Sequence, residues 1–413
     1  MTTAERTEPN RAAAPGQAPA PLSVPAPRAG GCPFDPAPAV EQARREEPVT
    51  RATLWDGSSC WLVTRHEDVR AVLGDPRFSA DATRPGFPFL TAGLRELVGR
   101  SSPSFIRMDD PSHARLRRML TADFMVKKVE AMRPEVQRIA DDLLDRMTDG
   151  RTSADLVPEF ALPLPSLVIC LLLGVPYEDH AFFQERSRIL LSLRSTAEEV
   201  RVSQDELLGY LVRLAESKQR DPDDAIVSRL VARGELDFEE IASMGRLLLV
   251  AGHETTANMT ALSILALLRN PAQLTKLRDD PTLIKGAVEE LLRYLSIVHN
   301  GVSRVATEDV TVGGRTIPAG EGVLCMINTA NRDEDAFPAA DTLDVGRDAR
   351  RHVAFGFGVH QCLGQPLARI ELQIALETLL RRLPGLRLDA AFEEIPFRHD
   401  MGVYGVHALP IAW

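Results

Sequence analysis

The stretch from Asp237 to Asn270 constrains the fold more than any other part of the chain. Asp237 stands where it can cap a helix, Glu240 follows three residues on in capping-box spacing, and Pro271 closes the segment. The roughly 32 residues between them make a helix close to 48 Å long, enough to cross a whole domain. Its middle, LeuLeuLeuValAlaGlyHisGluThrThrAla (247–257), is apolar on nearly every face. A helix of that kind must be surrounded by protein rather than laid on a surface.

The rest of the sequence supplies helices to surround it. From Ser112 to Val231 the pattern is almost wholly helical; after Pro134, for example, Val136, Ile139, Leu143, Leu144 and Met147 repeat on one face. Another helix opens at Asp280-Pro281 and carries Leu283, Ile284, Ala287, Val288, Leu291, Leu292 and Leu295 on one stripe. Strands are short: CysTrpLeuValThr (60–64), several between Val302 and Met326 bounded by Gly and Pro turns, and the C-terminal LeuProIleAlaTrp. An amphipathic helix runs from Pro366 to about Arg382. The expected fold is mainly α with a small, antiparallel β portion and no internal repeat. Residues 1–30, rich in Pro and Ala, read as a flexible tail.

Composition removes several function classes. Of 413 residues, 44% are hydrophobic and 26% charged, enough for a large core, and length alone suggests two or three domains. A net charge of −10 gives no global field for nucleic acid or an anionic membrane. Five scattered cysteines without a CxxC pair exclude a disulfide scaffold or zinc ribbon and fit a reducing cytoplasm. The N-terminus has no apolar h-region and places Glu5 and Glu8 where a signal peptide carries positive charge. The most membrane-like run, Phe160 to Tyr177, is interrupted by Pro163, Pro165 and Pro176. That leaves about ten continuous residues where a span needs about twenty, so no membrane association is expected.

Three constellations carry chemistry. In PheGlyPheGlyValHisGlnCysLeuGly (355–364) a Gly-rich turn brings backbone close to something flat or bulky. Cys362 then stands before a helix whose N–H groups and dipole favour a thiolate, the form that binds metal. In AlaGlyHisGluThrThr (251–256), Thr255 can bond the carbonyl of Ala251 and, beside Gly252, open the helix into a groove. Glu254 would be a costly buried carboxylate unless it has partners, and His253 reads as a packing residue. GluLeuLeuArg (290–293) puts opposite charges three apart on the side away from the apolar stripe; an exposed pair there is worth only about a few tenths of a kcal/mol.

The first of these resembles the haem-binding signature of the cytochromes P-450: Phe355, Gly358, His360, Cys362 and Gly364 stand at every position of the pattern, and GlnProLeuAlaArg (365–369) continues it. The resemblance covers about Cys60 to Trp413, including AsnArgAspGlu (331–334) and TyrGlyValHisAlaLeuPro (404–410), and is nearest to soluble actinobacterial members. It implies a haem-thiolate fold with the long helix lying over the haem. Everything from residue 31 to 413 would then be one domain, because its site residues are spread from His113 to Cys362.

It further implies that Cys362 is the axial ligand of haem b, with Phe355, Gly364 and Ala251 beside the cofactor. His113, Arg117, Arg304 and His360 would hold the propionates. Glu254 and Thr255 match the acid and alcohol that pass protons to dioxygen. Glu290 and Arg293, with Arg347 as third member, match a structural network supporting the haem loop. Substrate contacts are expected from Leu247, Val250, Val298, Val302, Val403, Phe87 and Leu90. The activity implied is hydroxylation or epoxidation of an apolar small molecule, a polyketide or terpenoid metabolite or a xenobiotic, by a monomeric cytoplasmic enzyme. Electrons would come from NAD(P)H through a ferredoxin or flavodoxin and its reductase. Arg115, Arg117, Arg118, Arg350, Arg351 and Arg369 would form a local basic face for such a donor. A non-enzymatic haem-thiolate sensor or binding protein, and a peroxide-driven peroxygenase, are the alternatives; neither explains the acid–alcohol pair.

Overall fold

The computed structural model describes residues 22–28, 32–98 and 104–413. The long helix spans Phe238–Arg269. Its capping box forms as the spacing predicts: Asp237 Oδ1 accepts the Glu240 N–H at 2.8 Å and the Glu240 carboxylate accepts the Asp237 N–H at 3.1 Å. Helices Pro163–Leu173 and Ala197–Arg220 pack along one side and Gln365–Arg382 along another, so Ile241, Leu249, Leu262, Ile264, Leu265 and Leu267 are all sealed in the core. Helix Pro163–Leu173 comes close at Gly252, where a Cβ would meet Ile169 at 3.0 Å.

The helix expected from Pro281 begins with a 3-10 turn, Pro281–Leu283, and becomes α over Ile284–Leu295. Its stripe residues from Ile284 to Leu295 are buried, whereas Leu283 remains partly open. The helix after the Cys loop runs Gln365–Arg382, close to the expected bounds.

Eleven strands occur among the described residues: β1 Leu22–Ser23, β2 Val49–Thr53, β3 Ser59–Val63, β4 Phe78–Ser79, β5 Ser153–Asp155, β6 Val302–Ala306, β7 Val310–Val312, β8 Arg315–Ile317, β9 Gly322–Cys325, β10 Arg387–Leu388 and β11 Pro410–Ala412. The main sheet has the order β1-β2-β3-β9-β6-β4. It is mixed rather than antiparallel, since β1 pairs parallel to β2 and β3 parallel to β9, with Trp61 opposite Val323. Parallel pairing needs a long crossover, here most of the chain, which no local pattern reveals.

The reading of residues 1–30 as a tail is corrected for Leu22–Arg28; residues 1–21 and 29–31 lie outside the described residues. β1 adds to the sheet edge through Leu22 and Ser23, Val24 is buried, and the Arg28 guanidinium lies over the Tyr404 ring at 3.8 Å. Few apolar residues suffice because the sheet edge supplies backbone partners.

Candidate functional site

Between the long helix and the 355–364 loop lies a cleft that brings distant residues together. The loop turns at Gly356 and Gly358, with φ of 72° and 74°. At Gly358 a Cβ would come within 2.4 Å of the Leu73 carbonyl oxygen, so glycine alone lets the loop dock on the helix His66–Gly74. The Cys362 N–H closes the turn on Phe355 O at 2.9 Å, and Arg369 lies over the Phe355 ring at 4.7 Å. At Gly364 no atom stands within 4 Å of where a Cβ would be, so the backbone there faces open space.

The thiol does not behave as the helix start alone suggests. Burial pushes Cys362 up, and the N–H groups of Gly364 and Gln365 with the Arg117 and Arg369 charges only partly offset this. A thiolate at this position needs the positive charge of a bound metal.

Across the cleft, Thr255 Oγ1 donates to Ala251 O at 2.6 Å, the bond its spacing predicts. The helix nevertheless stays continuously α through this turn. Ala251 is open although the helix around it is enclosed, so its face is a wall of the cleft. Glu254 is buried and points to the far side. Arg398 donates to its carboxylate at 2.8 Å and to Asn258 Oδ1 at 3.0 Å, while Asn258 Nδ2 lies 3.3 Å from the same carboxylate. His253 is a packing residue, with Nδ1 at 2.6 Å from Leu249 O and its ring edge-on to Phe183.

At one end of the cleft, cationic and donor groups converge, with the Asp110 carboxylate bonded to one of them. The His113 and His360 rings lie 4.1 Å apart; His113 Nδ1 meets Asp110 at 2.9 Å and its Nε2 is buried without a partner. Burial, then Arg304, His113 and Arg117, hold His360 down to about 3. Arg304 is buried and donates to Ser303 O, and Arg117 donates to Gln361 O beside the cysteine.

A fifth member, Arg107, was not singled out from sequence. It lies over the Phe87 ring at 5.2 Å, and burial with the neighbouring Arg304 charge lowers its guanidinium to about 10. Among the described residues no carboxylate bonds Arg107 or Arg304. A half-buried guanidinium that feels the charge of a buried one is stabilised by anions placed beside both. This donor set fits two carboxylates on a flat group lying between Cys362 and Thr255.

GluLeuLeuArg is not an exposed pair. Glu290 and Arg293 are both fully buried, joined at 2.7 and 2.8 Å, and Arg347 Nε reaches Glu290 at 3.1 Å. Arg293 also donates to Asn331 O and Ala340 O, and Asn331 Oδ1 accepts the Val353 N–H at 2.8 Å, which ties the network to the segment entering the Cys loop. The apolar stripe misled because this helix is covered on both sides. Next to it, His352 and Arg369 hold Glu289 at about 2, although burial pulls the other way.

The residues expected around a substrate divide. Leu247 and Val250 are partly open on the cleft side of the long helix. Val298 and Val302 pack on the sheet cluster, and the Tyr404 N–H bond to Ile297 O at 2.9 Å brings Val403 beside them. Phe87 is buried against Phe89, Val305 and Arg107. Leu90 is partly buried and packs against the cluster that holds Val24, Leu54, Leu62 and Leu324. The basic face is also partly neutralised, because Arg115 pairs with Glu240, Arg350 with Asp348 and Arg369 with Glu289.

Among the described residues no helix is long and apolar enough to cross a membrane. The Cytochrome P450 family model matches residues 180–385. The chain is 78% identical, over the whole of both proteins, to cytochrome P450-SU2 of Streptomyces griseolus. It is 43% identical to the 20-oxo-5-O-mycaminosyltylactone 23-monooxygenase of Streptomyces fradiae, over 92% of this chain and 90% of that one. The crystal structure of CYP105P1 in complex with filipin I matches with a TM-score of 0.90 at 41% identity, covering 95% of this chain and 99% of that one. By these likenesses the chain belongs to the cytochrome P450 family of haem-dependent monooxygenases, which use O2 and electrons from redox partner proteins.

Proposed function

We propose that the chain hydroxylates or epoxidises an apolar small molecule, a polyketide or terpenoid metabolite or a xenobiotic, using haem b held by Cys362. The carrying observation is that Ala251 and Cys362 stay accessible where the long helix and the cysteine helix around them are largely buried, with the Thr255 hydroxyl bonded to Ala251 O on the same helix turn. Bound haem supplies the activation of O2 and the oxidation of a substrate carbon. Arg107, Arg304, His113 and His360 would hold its two propionates, Arg117 would stand beside the cysteine loop, and Phe355, Gly364 and Ala251 would lie next to it.

The protein's own share of the chemistry is the handling of protons. Thr255 Oγ1 holds its proton on Ala251 O and can turn it toward the cleft. Glu254, the neighbouring residue, stands on the buried side, where Arg398 and Asn258 bond and orient its carboxylate. Glu290, Arg293 and Arg347 fix the segment that carries the thiol. Leu247, Val250, Val298, Val302, Val403 and Phe87 exclude water and orient the substrate. A peroxygenase or sensor has no use for the Glu254–Thr255 pair, which disfavours both readings.

Two electrons per turnover come from NAD(P)H through a ferredoxin or flavodoxin and its reductase. Their docking face is the groove of about 620 Å³ beside the cysteine helix, where Lys285 stands beside the Arg350–Asp348 and Arg369–Glu289 pairs. The enzyme works as a cytoplasmic monomer with a single haem-binding domain. The deciding measurement is the spectrum of the reduced protein under carbon monoxide. The strongly red-shifted thiolate band is expected in the wild type and absent in Cys362→Ala; its persistence in the variant overturns the assignment.

A further inference from the structure

Arg246 is a charge that the chemistry described above does not use. It stands on the long helix one residue before Leu247 and one turn before Val250, the residues that wall the substrate side of the cleft. Residues 241–245, 248 and 249 are buried, so the helix is enclosed on its other sides here. Arg246 alone in this stretch is charged, and with Leu247 it keeps a remnant of accessible surface, on the same side of the helix as Val250 one turn on. Among the described residues it makes no hydrogen bond, ion pair or ring contact, and its Nε is buried without a partner. Burial holds the guanidinium below its ordinary range, with no opposing charge nearby. An unpaired buried guanidinium is costly, and removing it would be easy in a helix otherwise built of Leu, Val and Ala.

We propose that Arg246 is a specificity-determining residue that binds an anionic group, a carboxylate or an equally acidic function, on an otherwise apolar substrate. This rests on the reading that the cleft takes substrate beside haem, and it narrows the substrate class from apolar to apolar and acidic. Nine residues separate Arg246 from Thr255, about 13 Å of helix axis. The acid would therefore be anchored at one end of an elongated molecule while the opposite end lies over the cysteine loop, so oxidation falls far from the acid.

The test uses ligands whose binding to haem iron does not depend on knowing the substrate. The haem-loaded protein is titrated with ω-(imidazol-1-yl)alkanoates of increasing chain length and with the matched 1-alkylimidazoles, and nitrogen ligation is read from the shift of the Soret band. At one or more chain lengths the wild type should bind the carboxylate about tenfold or more tightly than its neutral match, as expected of a charged hydrogen bond. Arg246→Met should lose that preference while binding the neutral imidazoles as well as before, and Arg246→Lys should keep part of it. Equal or weaker binding of the carboxylate at every length overturns the proposal, as does a preference that survives in Arg246→Met. If no imidazole of either series shifts the band, the haem reading itself fails, a result distinct from the other two.

Discussion

Glu254 and Thr255 are neighbours in sequence yet face different surroundings. The threonine opens on the cleft, and the glutamate is sealed against Arg398, a residue 144 positions away. Thr255→Ala removes the cleft-side hydroxyl without disturbing that pair, and on the proposed proton-handling role its effect is specific. It should keep reductant consumption but divert most of it from product to peroxide, measured as the ratio of product to NAD(P)H oxidised. Arg398→Ala leaves a buried carboxylate unpaired, which typically costs about 3–5 kcal/mol, and should lower Tm more than Thr255→Ala does. Another buried acid, Glu371, meets Thr256 and is pushed by burial up to about 8. Because the fold prefers its uncharged form, the stability it contributes is complete below pH 4.5, its ordinary value, and is lost as pH rises toward 8. By pH 7 the loss is about 3 kcal/mol, so Glu371→Gln should raise Tm at and above neutrality and flatten its pH dependence. At this scale the sequence reveals what acts through local spacing, such as Cys362 before its helix and Thr255 four residues after Ala251. Arg398, Arg107 and Glu371 are invisible in it because their environments are made by other segments.

Elements follow the same division. The long helix was legible from end to end because caps and apolar content are local properties. Asp237→Ala removes the side-chain acceptor at its start and should cost about 1 kcal/mol, measured by denaturant unfolding at unchanged m-value. The ExxR helix was misread on spacing alone, since one apolar stripe implies one buried face and this helix has cover on both. The family resemblance supplied what periodicity did not. In the cysteine loop, Gly358→Ala brings a Cβ against the Leu73 carbonyl with φ at 74°. It should yield protein with a low ratio of Soret to aromatic absorbance and a weakened carbon monoxide band, even where the helical circular dichroism survives.

On the scale of the whole molecule, the N-terminal segment is what composition hid. Arg28 caps the Tyr404 ring and donates to Pro33 O, so the start of the described chain is pinned to its C-terminal turn. Removing residues 1–28 strips β1 from the sheet edge and uncovers Val24's neighbours, and should lower Tm by several degrees more than Arg28→Leu alone; equal effects would show that the strand pairing contributes little. The domain count suggested by length failed for a related reason, since β3 finds its parallel partner β9 across most of the chain.

That pairing has a consequence for biosynthesis. Until Val323 has left the ribosome, β3 has only one of its two neighbours, and the loop bearing Cys362 follows later still. The seat of that loop, the carbonyl of Leu73, is made early and must wait for it. Haem is therefore captured near the end of synthesis or after it, and a shortage of haem during expression should leave a nearly complete apoprotein competent to take it up rather than a truncated fold.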